Sequence, residues 1–412
     1  SWEGSPAKKD IFLIDLKTGA KIPLAEQMRG TPNFSPEAAY VYWYDVVQSG
    51  WYAYNIKDRK LHRITDDSIS IFYDEQNDSP DYPYPYGIAG WTTSDDFIII
   101  YDRYDIWLID PDGDLKPNNL TNARAAKQVM RYIKTDPDQK SIEEVAPMVF
   151  HMFDETNKDE GNVGFNLHTG VKTVLQKGAY KLSRRPLKAK KAGSWVFTKE
   201  NYQLFPDLYH SKDLRESKRI SEANPQQSEY NWGSIELVSW TSLDGQVLKG
   251  LLVKPENFDP NKKYPMIVNF YERSTDGLHN HRPPQPNRSQ ITYAFYASKG
   301  YVVFNPDIPY KIGYPGESAY NAIVSGVTNL IDRGFIDRER VGIQGHSWGG
   351  YQIAYILTRT NLFRCAESGA PVVNMFSAYG GIRWGAGVSR MFQYEHTQSR
   401  IGGTPWDQTL RF

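Results

Sequence analysis

The chain has 412 residues, 40% of them hydrophobic, which is enough for two or three domains with sizeable cores. Its 48 basic residues are matched by 48 acidic ones with no long block of either sign, so there is no electrostatic footprint for nucleic acid. No run approaches the roughly 18 apolar residues of a membrane span, and Ser1-Trp2-Glu3-Gly4-Ser5-Pro6 has neither the basic segment nor the apolar core of a signal peptide.

Read from the beginning, the first half repeats one form: apolar strand, polar turn, strand. It appears from Phe12 to Ile22, from Trp51 to Thr65, from Ile106 to Thr121, from Val163 to Leu175 and, more weakly, from Asp207 to Ser221. Measured from Asp15 to Asn55, Asp110, Asn166 and Ser211, the steps are 40, 55, 56 and 45 residues. That period suits a four-stranded propeller blade with loop insertions. Further strands are expected between the hairpins, at Tyr40 to Tyr44 and Phe97 to Tyr101. Residues 1–234 are therefore expected to form four to five blades of a β-propeller that begins before Ser1; unrelated hairpins of a sandwich are the other reading. The Asp81-Tyr82-Pro83-Tyr84-Pro85-Tyr86-Gly87 stretch reads as a rigid extended loop whose tyrosines pack on the rim, and Glu143-Glu144 as a solvated pair.

Around Ile235 the pattern changes. Ile235 to Trp240 and Val247 to Val253 form a hairpin about the turn dipeptide Asp244-Gly245, and short apolar runs follow at Met266 to Tyr271, Tyr301 to Asn305, Val341 to Ile343 and Cys365 to Ser368. Ile323, Val324, Val327, Leu330 and Ile331 share one face at helical spacing. Strands alternating with helices predict an α/β-hydrolase domain over 235–412, with reactive residues at the carboxyl ends of the strands. His279 and His281 lack an acidic partner at metal spacing and read as part of a polar loop; Cys365, the single cysteine, reads as a small buried strand residue. No cofactor or metal is expected.

The densest signal is Gly345-His346-Ser347-Trp348-Gly349-Gly350, entered from an apolar strand and left through the helix formers Gln352 to Leu357. This is the strand, sharp turn and helix of a nucleophile elbow, in which Ser347 takes a strained backbone conformation and side chains at Gly345 or Gly349 would collide with their neighbours. A serine hydroxyl needs a base and fixed donors for the oxyanion. The Trp348 backbone N–H supplies one donor, and Tyr271, at the end of the third strand, is placed to supply a second through its phenol. In this fold the acid and then the histidine follow the serine. After Ser347 the chain has His396 and Asp407 in the opposite order, and His346 points elsewhere on the turn. The expectation is of a fragment that stops before its acid and its base.

Together these features resemble the prolyl oligopeptidase family of serine peptidases (S9), and most of all its dipeptidyl-peptidase and oligopeptidase-like branches. The resemblance rests on Gly345 to Tyr351, Asn305-Pro306-Asp307, Gly313-Tyr314-Pro315-Gly316, Gly369-Ala370-Pro371-Val372 and Phe270-Tyr271. It implies a peptidase for short peptides, covered by the propeller, with Ser347 as nucleophile, Tyr271 and the Trp348 amide as oxyanion hole, and Val372 and Trp348 as walls of the first pocket. It also suggests a periplasmic or extracellular home. Where dipeptidyl-peptidase members carry a tryptophan and a tyrosine lining a proline pocket, this chain has Met375 and Ala378, and their paired glutamates are not recognisable. An esterase on the same fold and a non-catalytic binding module are the competing classes.

Overall fold

The computed structural model describes residues 7–286 and 289–412. The first half is a succession of small antiparallel sheets. Lys9–Ile14 pairs with Lys21–Met28; four strands follow in Asn33–Phe34, Tyr40–Asp45, Gly50–Asn55 and Lys60–Arg63, and four more in Ile88–Trp91, Ile98–Tyr101, Ile106–Ile109 and Asn118–Asn119. The third four-stranded sheet is Gln128–Tyr132, Met148–Asp154, Glu160–Phe165 and Lys172–Gly178, and a fourth group is built on Trp195–Glu200, Asp207–Ser211 and Ser217–Arg219. Each of the five hairpins expected from sequence is the closing pair of one of these sheets.

The sheets stack face against face because their strands are apolar on both sides. In Ile98–Tyr101 every residue is buried. Ile98 and Ile100 pack with Tyr40, Trp51 and Trp91 toward the preceding sheet, whereas Ile99 and Tyr101 pack with Met130, Phe150 and Val163 toward the following one. The period-two alternation thus joins two cores through one strand. Trp43 and Tyr54 do the same against the first hairpin, and Trp195 and Phe197 pack with Val149 and Leu175 of the third four-stranded sheet.

The second half is a six-stranded mixed sheet. Its strands are β1 (Ser234–Thr241), β2 (Val247–Lys254), β3 (Tyr264–Asn269), β4 (Val302–Pro306), β5 (Ile336–His346) and β6 (Cys365–Gly369), in the spatial order β1-β2-β4-β3-β5-β6. β3, β4, β5 and β6 are parallel, and β2 runs antiparallel to its two neighbours, β4 and β1. Its helices include α1 (Tyr293–Ser298), α2 (Pro315–Asp332), α3 (Trp348–Leu357) and the short α4 (Met375–Tyr379) and α5 (Met391–Glu395). α2 lays Ala319, Ala322, Ile323, Val327 and Leu330 on the sheet, with Trp240 of β1 donating its indole N–H to Ser325 Oγ at 3.0 Å. Among the described residues no helix is long and apolar enough to cross a membrane.

Two readings of single residues are corrected. Cys365 is exposed, because β6 is the edge of the sheet among the described residues and its outer side is uncovered. His279 and His281 do lie in a loop, but one that is partly buried instead of open to solvent. They lie on the segment after β3 that packs into the first half: His281 stacks on Trp232 with ring centres 5.2 Å apart and planes 10° apart, His279 Nε2 lies 3.5 Å from Asp159, and Asp276 pairs with Lys158 at 2.6 Å.

Burial, the largest influence, holds both imidazoles below the ordinary histidine range. Between that lowered folded value and the unfolded value near 6.5, the unfolded chain binds more protons, so stability falls as pH drops through this window. The urea midpoint is expected to decrease between about pH 7.5 and about pH 5.5, and His281→Phe, which keeps a ring on Trp232, to reduce that decrease. An unchanged slope in the variant would show that other groups set it.

Candidate active site

β5 delivers the backbone to Gly345 and α3 starts at Trp348, leaving Ser347 to make the turn at φ 58° and ψ −112°. Such a conformation costs a non-glycine residue about 1–3 kcal/mol and persists because the surroundings hold it. Ser347 N–H donates to Gly369 O at 2.7 Å, and Ser347 O accepts from Tyr351 N–H at 3.1 Å. A Cβ at Gly345 would stand 2.9 Å from the Gly349 carbonyl carbon, and one at Gly349 would stand 3.1 Å from Phe270 O. The glycine spacing is therefore the geometric condition for the turn.

The Trp348 indole is buried in the core and stacks on Tyr351 at 4.4 Å. Trp348 also has a main-chain N–H at the start of a helix, where such groups have no intrahelical acceptor. Val372 is half-buried against the same core, and Met375 lies within it.

Tyr271 follows β3 and is 38% exposed. Its carbonyl accepts from Tyr310 Oη at 2.8 Å and from Gln352 Nε2 at 3.2 Å, and the fully buried Gln352 also donates to Tyr310 Oη at 2.6 Å. Burial pushes the Tyr310 phenol far up, so it stays a neutral donor. Because Gln352 belongs to α3, the helix that begins at the elbow also fixes the main chain of Tyr271. The Tyr271 phenol oxygen accepts from Gln398 Nε2 at 2.5 Å, which orients the ring and leaves the phenolic proton for another acceptor.

Two residues beyond Gln398, the buried Arg400 donates to Glu272 Oε1 at 2.7 Å and to Asp78 Oδ1 at 2.9 Å, with its guanidinium 4.3 Å from the Tyr310 ring centre. Asp78 lies in the first half of the chain, so this cation ties the loop after Tyr271 to it. Arg400→Met is expected to cost about 3 kcal/mol, because two carboxylates lose their shared partner. A urea-unfolding midpoint equal to the parent's would refute that role.

His346 sits against β6, its Nδ1 3.0 Å from where a Gly369 Cβ would stand, and His396 ends a short helix with Nε2 3.7 Å from Glu395. Among the described residues no hydrogen bond joins the Ser347 hydroxyl to a histidine. Gln352, Gln398, Tyr310 and Arg400 were not foreseen from sequence. Glu143 and Glu144 are exposed.

A mixed sheet with a strained serine between its fifth strand and the following helix defines an α/β-hydrolase. Residues 311–398 match the model of the prolyl oligopeptidase family. Human dipeptidyl peptidase 8 is 34% identical over 153 residues, a match that takes in 33% of this chain and 16% of that protein. Among solved structures, a putative dipeptidyl aminopeptidase IV from Bacteroides ovatus shares the fold with a TM-score of 0.61 at 18% identity, over 97% of this chain and 58% of that one. Porphyromonas gingivalis dipeptidyl peptidase 4 does so with a TM-score of 0.64 at 17% identity, over 97% and 55%. By these matches residues 311–398 are similar to the prolyl oligopeptidase family, and the chain shares its fold with solved dipeptidyl peptidases. It spans less than a fifth of the curated relative and a little over half of the solved chains.

Proposed function

We propose that the protein is a serine peptidase acting on short peptides, with Ser347 as its nucleophile. The observation that carries this is the strained Ser347 between Gly345, where a Cβ would clash with backbone, and Gly349, where it would be tight, with Tyr271 tied through Gln352 to the same helix. In this reading residues 1–234 contribute four to five blades of a β-propeller and residues 235–412 the α/β-hydrolase domain. The stacked sheets support the blades and the start of β1 at Ser234 supports the boundary.

The Ser347 hydroxyl attacks the scissile carbonyl carbon while its proton passes to a general base. The carbonyl oxygen, now negative, takes hydrogen bonds from the Trp348 N–H and the Tyr271 phenol. Collapse expels the amine with the returned proton and leaves an acyl group on Ser347, which water removes. Val372 borders the side chain next to the cleaved bond. The relatives named dipeptidyl peptidases favour an amide over an ester as the bond cut.

Fluorophosphonate labelling of the full-length protein, with the adduct mapped by mass spectrometry, together with hydrolysis of paired peptide and ester substrates, tests this. Label on Ser347 and faster peptide turnover are expected. Label on Ser347 with ester turnover alone would make it an esterase. No label and no turnover would favour a binding module.

A further inference from the structure

A cavity of about 1340 Å³ lies between the third and fourth sheets of the first half and the segment after β3, represented in its wall by Asp276, Gly277 and Asn280. That segment is fastened to the end of β4, since Ser274 N–H and Thr275 N–H donate to Asp307 Oδ1 at 2.6 and 3.0 Å. β3, β4 and β5 are parallel, so the cavity adjoins the same edge of the sheet that carries Tyr271 and Ser347.

Its charge is one-sided. Seven lysines and arginines line it against three carboxylates, and each of those carboxylates is already engaged. Glu155 accepts from both Arg103 and Tyr104, at 2.9 and 2.7 Å. Glu160 is buried, 3.0 Å from His151 Nε2, and accepts from Leu182 N–H at 2.6 Å. Asp276 is held by Lys158. On the cationic side, Lys134, Arg184 and Arg185 have no hydrogen-bond or ion-pair partner among the described residues, and Arg184 is close enough to Arg131 to oppose its charge. Lys181 pairs with Glu200 at 3.5 Å and Lys190 with Asp138 at 2.6 Å, so the unbalanced charge is that of Lys134, Arg184 and Arg185, which focuses a positive potential into the space between them. The wall also carries Tyr132, Phe153 and Leu187, apolar faces suited to a peptide's side chains.

We propose that this cavity is a subsite for acidic peptides, in which Arg184 and Arg185 take aspartate or glutamate carboxylates of a chain whose scissile bond lies at Ser347. The assignment rests on the peptidase reading for its catalytic part and stands apart from it for binding. Guanidinium groups suit carboxylates because two parallel N–H bonds are available to each.

The test pairs a fluorescent acidic peptide with the same peptide carrying Asn and Gln in place of Asp and Glu, and measures both binding by anisotropy and kcat/KM. Tighter binding of the acidic peptide by about tenfold or more is expected, together with loss of that margin at high salt and in an Arg184→Glu/Arg185→Glu double variant. The double variant should still cleave the neutral peptide at close to the parent rate. Equal binding of the two peptides, or a margin the double variant leaves intact, would overturn the subsite. A DNA oligonucleotide binding more tightly than the acidic peptide would overturn the peptide assignment. If Ser347 takes no fluorophosphonate while the acidic margin holds, the peptidase reading fails and the subsite survives.

Discussion

Ser347→Ala is expected to lower kcat by about 10⁵- to 10⁶-fold and to abolish fluorophosphonate labelling, with little change in thermal stability. The loss is large because the attacking atom is removed, and the remaining donors only bind the substrate. Stability is held because alanine keeps the backbone at the same positive φ and because the contacts that enforce it, Gly369 O to Ser347 N–H and Ser347 O to Tyr351 N–H, are made by the main chain. Peptide hydrolysis, labelling and a melting curve on parent and variant check all three. Retained turnover with retained label would place the nucleophile elsewhere.

Tyr271→Phe is the second large effect, a fall in kcat of about 10²- to 10³-fold with KM changed much less. The phenol donates to an oxygen that becomes negative only as the carbonyl is attacked, so its removal is felt in the transition state more than in the bound substrate. The ring position does not depend on the hydroxyl alone, since the Tyr271 carbonyl is held by Tyr310 and Gln352. The amide of Gln398 loses its acceptor in the variant, but on an exposed group, where water replaces it. Steady-state kinetics separate the two parameters. An equal rise in KM with unchanged kcat would make Tyr271 a substrate-binding group instead.

What could be read from the residues themselves was whatever is encoded locally. The hairpins show because a turn dipeptide and the strand period sit within about ten residues of each other. The elbow shows because the contacts that exclude a Cβ at Gly345 come from Gly349, four positions along the same turn. Interactions between distant positions leave no such pattern. Arg400 and Asp78 are 322 residues apart and Gln398 and Tyr271 are 127 apart, so neither pair makes a motif. Burial was misjudged where it depends on neighbours supplied by the fold. Cys365 has the composition of an inner strand but occupies an edge, and His281 has the look of a polar loop but lies flat on Trp232.

The backbone angles at Ser347 carry an evolutionary consequence. A φ of 58° with a ψ of −112° is close to the first corner of a turn that glycine occupies without strain. From two of the six serine codons, glycine is one nucleotide away. A lineage that had stopped using the hydroxyl would gain stability from glycine at this position, because glycine takes the same angles without strain. The residue is thus a recorder of use, and sequencing it in the relatives that have lost activity should find glycine more often than any other substitute.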